Sequence, residues 1–241
     1  MTAQLPDIHG ALAAKWQRRV RPLQDAPEDS LVVHEIYASI QGEGTHVGLP
    51  CAFVRLTACH LRCSYCDTRQ AFGHGSPKTL GAIVDEVMGL GTKLCLLTGG
   101  EPMLQANVLP LMATLCDRGL TVLLETSGSL PLDSVDARVV RIIDMKTPSS
   151  GEVLANDYRL LEALRPHDEV KFVIGDEADY AWAKEVVTKY GLVGQCAVLF
   201  GPVFGALPPQ DLVAWVLRDH LEVRVQVQLH KYIWDPSTQG V

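Results

Sequence analysis

The sequence predicts an α/β fold, an open partial (β/α)6-type barrel preceded by an N-terminal extension. Three observations predict it. From Lys93 onward, short apolar runs alternate with segments of helical period, the pattern of right-handed βα units on a parallel sheet. About six such units are too few to close an eight-stranded barrel. Polar clusters also fall at the C-terminal ends of the predicted strands, the edge at which parallel α/β folds carry their sites.

Residues 1–30 are weakly patterned. Ala11 to Val20 fits a short basic amphipathic helix around Trp16, and Asp7 together with the lack of an apolar stretch argues against a secretory signal. Pro22 to Ser30, with its prolines and acids, reads as a linker. The expectation is an extension over 1–30 that packs on the body or frays, and a main domain over 31–241. Leu31 to Tyr37 is a strand that runs into Ile40-Gln41-Gly42-Glu43-Gly44. Glycines there allow the backbone close to a ligand. The acid between them can accept from the N–H groups of a purine-like or pterin-like ring, although a plain hairpin turn also fits. Pro50 to Thr57 is a strand with one charge, Arg55, in an apolar run. A buried arginine needs a carboxylate or a similar partner, so Arg55 is either a paired structural residue or a ligand contact.

Next comes Cys59-His-Leu-Arg-Cys63-Ser-Tyr-Cys66-Asp-Thr68. A helix with Leu80, Ile83, Val84, Val87 and Met88 on one face follows, capped by Ser76 or Thr79 and closed by Gly89 and Gly91. The strand Lys93 to Leu97 ends in Thr98-Gly99-Gly100-Glu101-Pro102, and a helix is predicted over Leu104 to Arg118 with Gly119 at its end. Strands at Leu120–Leu124 and Val139–Ile143 end in Glu125-Thr-Ser127-Gly and Asp144-Met-Lys146. The remaining pattern is helix Asp157–Leu164, strand Glu169–Ile174, helix Ala178–Lys189, strand Gln195–Phe200, helix Pro208–Asp219 and strand Glu222–Leu229, then His230-Lys231.

A net charge of −7 argues against nucleic acid as a partner. No apolar run is long enough to span a bilayer. Seven cysteines without regular disulfide spacing suit a reducing cytosol, and Cys95, Cys116 and Cys196 read as buried small hydrophobes. The loop Cys59, Cys63 and Cys66 is different. Three thiolates so close can hold three irons of a 4Fe-4S cluster, and a closed cluster would take a fourth cysteine. The open iron is the kind of position a catalytic metal site keeps for a small molecule. A structural zinc site, with His60 or Cys51 as fourth ligand, an electron-transfer module and unrelated thiols are the alternatives.

The C-x-x-x-C-x-x-C spacing resembles that of the radical S-adenosylmethionine (SAM) superfamily, and Gly99-Gly100-Glu101-Pro102 resembles its SAM-binding turn. From about Leu31 onward the chain is similar to one family within it, 7-carboxy-7-deazaguanine synthase. Tyr37 to Gly44, Phe53 to Leu56, Cys66-Asp67-Thr68, Glu125 to Gly128, Gln226 to Lys231 and the tail Tyr232 to Asp235 carry the likeness. The tail continues through Pro236 to Val241, unlike members whose terminal carboxylate meets the substrate. The resemblance implies a partial barrel of the radical SAM kind and a lyase acting on 6-carboxy-5,6,7,8-tetrahydropterin. A 5′-deoxyadenosyl radical would take hydrogen from carbon 6, the ring would contract, the hydrogen would return and ammonia would leave. The product is 7-carboxy-7-deazaguanine, on the route to queuosine and other 7-deazapurines, with SAM regenerated and Mg2+ assisting.

The same likeness assigns residues. Cys59, Cys63 and Cys66 would hold the 4Fe-4S cluster and Thr68 the magnesium. Tyr65, Gly99, Gly100, Glu101, Ser127, Asp144 and Lys146 would bind SAM. Ile40, Gln41, Gly42, Glu43, Arg55, Thr98 and His230 would meet the substrate, with a structural histidine as the other reading of His230. It further implies an electron donor such as flavodoxin or ferredoxin, a cytoplasmic location and a homodimer. An activase of the same superfamily that acts on a protein partner is the competing enzyme reading.

Overall fold

The computed structural model describes residues 16–24, 26–236 and 238–240. One sheet of nine strands runs through it in the order β3-β1-β2-β4-β5-β6-β7-β8-β9. The strands are β1 Ser30–Ile40, β2 Pro50–Leu56, β3 Ser76–Thr79, β4 Leu94–Gly99, β5 Thr121–Thr126, β6 Val140–Met145, β7 Glu169–Ile174, β8 Ala197–Pro202 and β9 Arg224–Val225. From β2 to β9 every neighbouring pair is parallel, whereas β1 is antiparallel to both β2 and β3. The sheet is not closed; β3 and β9 are its edges. The helices are α1 Leu80–Gly89, α2 Val108–Asp117, α3 Glu177–Lys189, α4 Pro209–Arg218 and α5 His230–Ile233.

Strand alternation sorts the side chains. Val170 and Phe172 of β7 join the main core, with Ile83, Val84 and Val87 of α1 and Leu111, Met112 and Leu115 of α2. Lys171, between them, faces the barrel interior with Glu125 and Asp144. A second apolar cluster, Cys51, Phe53, Leu94, Leu96, Leu123, Val140 and Ile142, fills the interior lower down. The interior is thus largely apolar toward the strand starts, where the buried Glu169 of β7 is the exception and meets Thr45, and charged toward the strand ends.

Four sequence expectations change. Ser76–Thr79 is a short edge strand as well as a cap, since Thr79 Oγ1 accepts from the Ala82 N–H at 3.3 Å. The helix expected from Leu104 starts at Val108, because Pro102–Leu104 form a separate 3-10 turn. The segment 157–164 holds a 3-10 helix, Tyr158–Glu162, too short to offset the cost of an α-helical nucleus. The last strand shrinks to Arg224–Val225. Beyond it the chain pairs with the loop after β1 instead: the Gly44 N–H donates to Gln226 Oε1 (2.7 Å) and the Leu229 N–H to the Gly42 carbonyl (3.0 Å).

Of the predicted N-terminal helix, residues 16–19 are helical, and Trp16 and Val20 are buried against the body; its earlier part lies outside the described residues, as does Val241. Among the described residues no helix is long and apolar enough to cross a membrane.

One buried ion pair braces the start of β6 and β7. Arg141 Nε lies 3.1 Å from both oxygens of Asp168, and Arg165 donates its backbone N–H to the same carboxylate. Asp168→Ala leaves the guanidinium buried and uncompensated, and a stability loss of about 3–5 kcal/mol is expected, read as a lower urea midpoint at unchanged slope.

Candidate active site

The cysteine loop leaves β2 through Ala58, whose backbone is left-handed (φ 75°). Its N–H donates to the Ala71 carbonyl and its own carbonyl accepts from the Glu101 N–H, both at 2.8 Å. The turn after β4 therefore docks directly on the root of the cysteine loop. A Cβ at position 100 would collide with that Ala58 carbonyl, so only glycine fits there.

Cys59, Cys63 and Cys66 line a cavity of about 540 Å3 at the C-terminal ends of the strands. Ile40, Gln41, Gly42, Glu43, Arg55, Tyr65, Thr68, Thr98, Gly99, Gly100, Ser127, Asp144, Lys146 and His230 line it as well. Of the residues that the family likeness assigns to the site, Glu101 alone is not at its wall. It is fully buried, and its carboxylate accepts from the Met103 N–H (3.0 Å), the Thr126 hydroxyl (2.8 Å) and the Ser127 N–H (2.7 Å). It ties the turn after β4 to the turn after β5 and holds Ser127 in place.

Burial raises all three thiols above the ordinary cysteine range, Cys59 to about 12, so a metal must displace their protons. Neither proposed fourth zinc ligand is placed for that task. His60 Nε2 lies 2.7 Å from Ser129 Oγ, and Cys51 is buried in the lower cluster. Among the described residues no three His, Cys, Asp or Glu side chains converge as a single-ion site.

Charge is packed inside the cavity. Lys171 pairs with Glu43, with Glu125 at 2.6 Å and with Asp144 at 3.8 Å. Burial alone would push Lys171 toward neutrality, but those carboxylates hold it charged, well above the ordinary lysine value. Lys146 is likewise opposed by burial and held charged by Asp144 at 3.0 Å. Asp144 Oδ1 is buried without a partner. Glu125 also accepts from the Thr98 hydroxyl at 3.1 Å.

Arg55 is paired: Nε donates to Glu35 at 2.7 Å and Nη2 to the Tyr37 hydroxyl at 2.9 Å. These bonds use two of its five N–H donors. Thr68 donates to Asp67 Oδ1 at 3.0 Å, and Asp67 Oδ2 accepts from Lys231 at 2.7 Å. His230 opens α5 against Gly42, where an added Cβ would sit 2.5 Å from its Nδ1. Burial lowers the His230 pKa against the pull of Glu43 and Asp67.

Residues 54–194 match the model of the radical SAM superfamily. The chain is 48% identical over 217 residues to the 7-carboxy-7-deazaguanine synthase of Chlorobaculum tepidum, covering 89% of this chain and 99% of that one. The chain belongs to the 7-carboxy-7-deazaguanine synthase family of radical SAM enzymes. The synthase of Koribacter versatilis is 46% identical over 224 residues, covering 87% of this chain and 99% of its own. The crystal structure of QueE from Escherichia coli superposes with a TM-score of 0.70 at 20% identity, over 83% of this chain and 95% of that one, which speaks to the shared fold.

For a radical SAM enzyme of this family the donor set fits. Three thiols reach one cavity and no fourth joins them, which suits a cubane with an open iron. The oxygen corner at Thr68 and Asp67 suits a hard cation that takes few protein ligands. Lys171, Tyr37 and Glu35 escaped the sequence reading. Lys171 carried the same signal as Arg55, a lone charge in an apolar strand between Val170 and Phe172.

Glu101→Gln tests the tie between the two turns. Whichever way the amide is turned, its NH2 faces a backbone N–H, of Met103 or of Ser127. A loss of about 1–3 kcal/mol in stability is expected, read as a lower urea midpoint.

Proposed function

We propose that this chain converts 6-carboxy-5,6,7,8-tetrahydropterin to 7-carboxy-7-deazaguanine and ammonia. The observation that carries this reading is that the three loop thiols and the Gln41-Gly42-Glu43 loop line one cavity, of a size suited to a small ligand beside a cofactor. In this reading Cys59, Cys63 and Cys66 hold a 4Fe-4S cluster, which with SAM bound supplies the 5′-deoxyadenosyl radical. Tyr65, Gly99, Gly100, Ser127, Asp144 and Lys146 bind SAM. The charged Lys146 suits its carboxylate, and the unpartnered Asp144 Oδ1 suits an N–H or O–H donor.

The substrate lies between Ile40–Glu43 and the strand ends. Glu43 is the acceptor for its pyrimidine N–H edge, and the spare donors of Arg55 take its carboxylate. Thr98 and His230 flank it, and Thr68 contributes a hydroxyl to Mg2+. Lys171 anchors Glu43 and Glu125 at fixed positions, which orients the ring before chemistry. A small carboxylated heterocycle matches this interior better than the loop of a protein partner, because acids and cations face each other across a short span. An external electron donor such as flavodoxin or ferredoxin, and assembly as a homodimer in the cytoplasm, belong to the same proposal and rest on family likeness.

Anaerobic protein supplied with iron, sulfide, SAM, dithionite, Mg2+ and the pterin should release 7-carboxy-7-deazaguanine by mass spectrometry, with several turnovers per SAM. Cys63→Ala should abolish it. Cleavage of SAM with the pterin untouched would sink the substrate assignment. Lys171→Met should lower turnover by about 100-fold through misplacement of the ring, with iron and sulfide content unchanged.

A further inference from the structure

The segment around Trp16 grips the cysteine loop from outside the cavity. Val20 packs with Ala58, Leu104 and Leu130 at the root of the loop. Arg19 Nη1 donates to the His60 carbonyl at 2.6 Å and to Glu152 Oε1 at 3.1 Å. Glu152 accepts from the Arg62 N–H at 2.8 Å, so one carboxylate joins the segment to the middle of the loop. Trp16 is 2% exposed. It lies edge-on to His60, with ring centroids 4.4 Å apart at 74°, and forms an apolar cluster with Leu61 and Ala155 against which Cys59 and Cys63 pack.

Within that cluster the Trp16 indole Nε1 has no hydrogen-bond partner. An unpaired buried N–H costs as much as a lost hydrogen bond, and buried tryptophan N–H groups usually find an acceptor. Neither Trp16 Nε1 nor Nδ1 of the adjoining His60 is hydrogen-bonded, whereas a sulfur-rich group held by Cys59 and Cys63 would give the indole an acceptor, because thiolate and sulfide both accept hydrogen bonds. Such bonds stabilise the more negative, reduced state of a cluster and raise its potential.

We propose that the segment Trp16–Gln24 is a clamp on the cluster loop and that the Trp16 indole N–H donates a hydrogen bond to sulfur of the bound cluster. This rests on the cluster assigned to Cys59, Cys63 and Cys66. Trp16 does not touch substrate; it is a positioning residue that tunes the group it contacts. Its partner Arg19 keeps the loop in register through His60 and Glu152.

The test uses the full chain, reconstituted without oxygen. In wild type, the reduced cluster should show an exchangeable proton coupling by electron–nuclear double resonance that disappears in Trp16→Phe. Trp16→Phe should retain its iron and sulfide, take a more negative midpoint potential and lose its cluster faster in air. Arg19→Gln should speed that loss while leaving the proton coupling in place. No exchangeable coupling in wild type, or the same coupling and midpoint in Trp16→Phe at full iron content, overturns the proposal. The wild-type measurement decides the matter even where Trp16→Phe fails to fold. If wild type binds no iron–sulfur cluster, it is the cluster assignment that has failed, and iron and sulfide analysis separates the two cases.

Discussion

The site depends on one close approach, that of Gly100 to the carbonyl of Ala58. Ala58 adopts a left-handed backbone so that its carbonyl can receive the Glu101 N–H. That contact joins the loop carrying the thiols to the turn after β4. Glu101 then passes the constraint to Ser127 and the turn after β5. Three strand ends, β2, β4 and β5, are thereby fixed relative to one another without any metal. A cluster assembled on the cysteines would meet the turns after β4 and β5 already in register, and preorganisation of this kind lowers the cost of binding.

The second constraint is electrostatic. Glu43, Glu125 and Asp144 surround Lys171, and Asp144 also holds Lys146. Carboxylates this close repel unless cations lie between them, and buried charges need partners. The two lysines therefore permit a polar interior above an apolar floor of Phe53, Leu96 and Leu123. The floor comes from ordinary strand alternation, and the polar level from substituting charges at the last inward position of several strands.

Much of this was legible in the sequence. The parallel sheet followed from periodicity, and the rim from polar residues at strand ends. The thiols, Gly100 and Ser127, which line the cavity, stood out as local motifs because each motif is contiguous in the sequence. Pairings between distant segments were not legible. Arg55 meets Glu35 and Tyr37 only because β1 lies antiparallel to β2, and Lys171 meets Glu43 across 128 residues. Glu101 belonged to a motif that suggested ligand contact, yet its oxygens are consumed by backbone and hydroxyl donors. The end of the chain misled because the run Gln226 to Leu229 looks like a strand, yet after the Gln226 N–H bonds to β8 the chain turns to the loop after β1 through the Gln226 side chain and the Leu229 N–H.

That partner has a kinetic meaning. The bond between Gly44 and Gln226 spans 182 residues, and closing so long a loop is entropically slow. The root of the cysteine loop, the turn at Gly100 and the bonds of Arg19 depend on contacts made within the first two thirds of the chain, whereas Asp67 at the end of that loop waits for Lys231. The part of the wall where Gly42 meets His230 waits for the last segment. During synthesis from the N-terminus, the half that carries the three thiols can therefore be assembled before Gly42 and His230 meet.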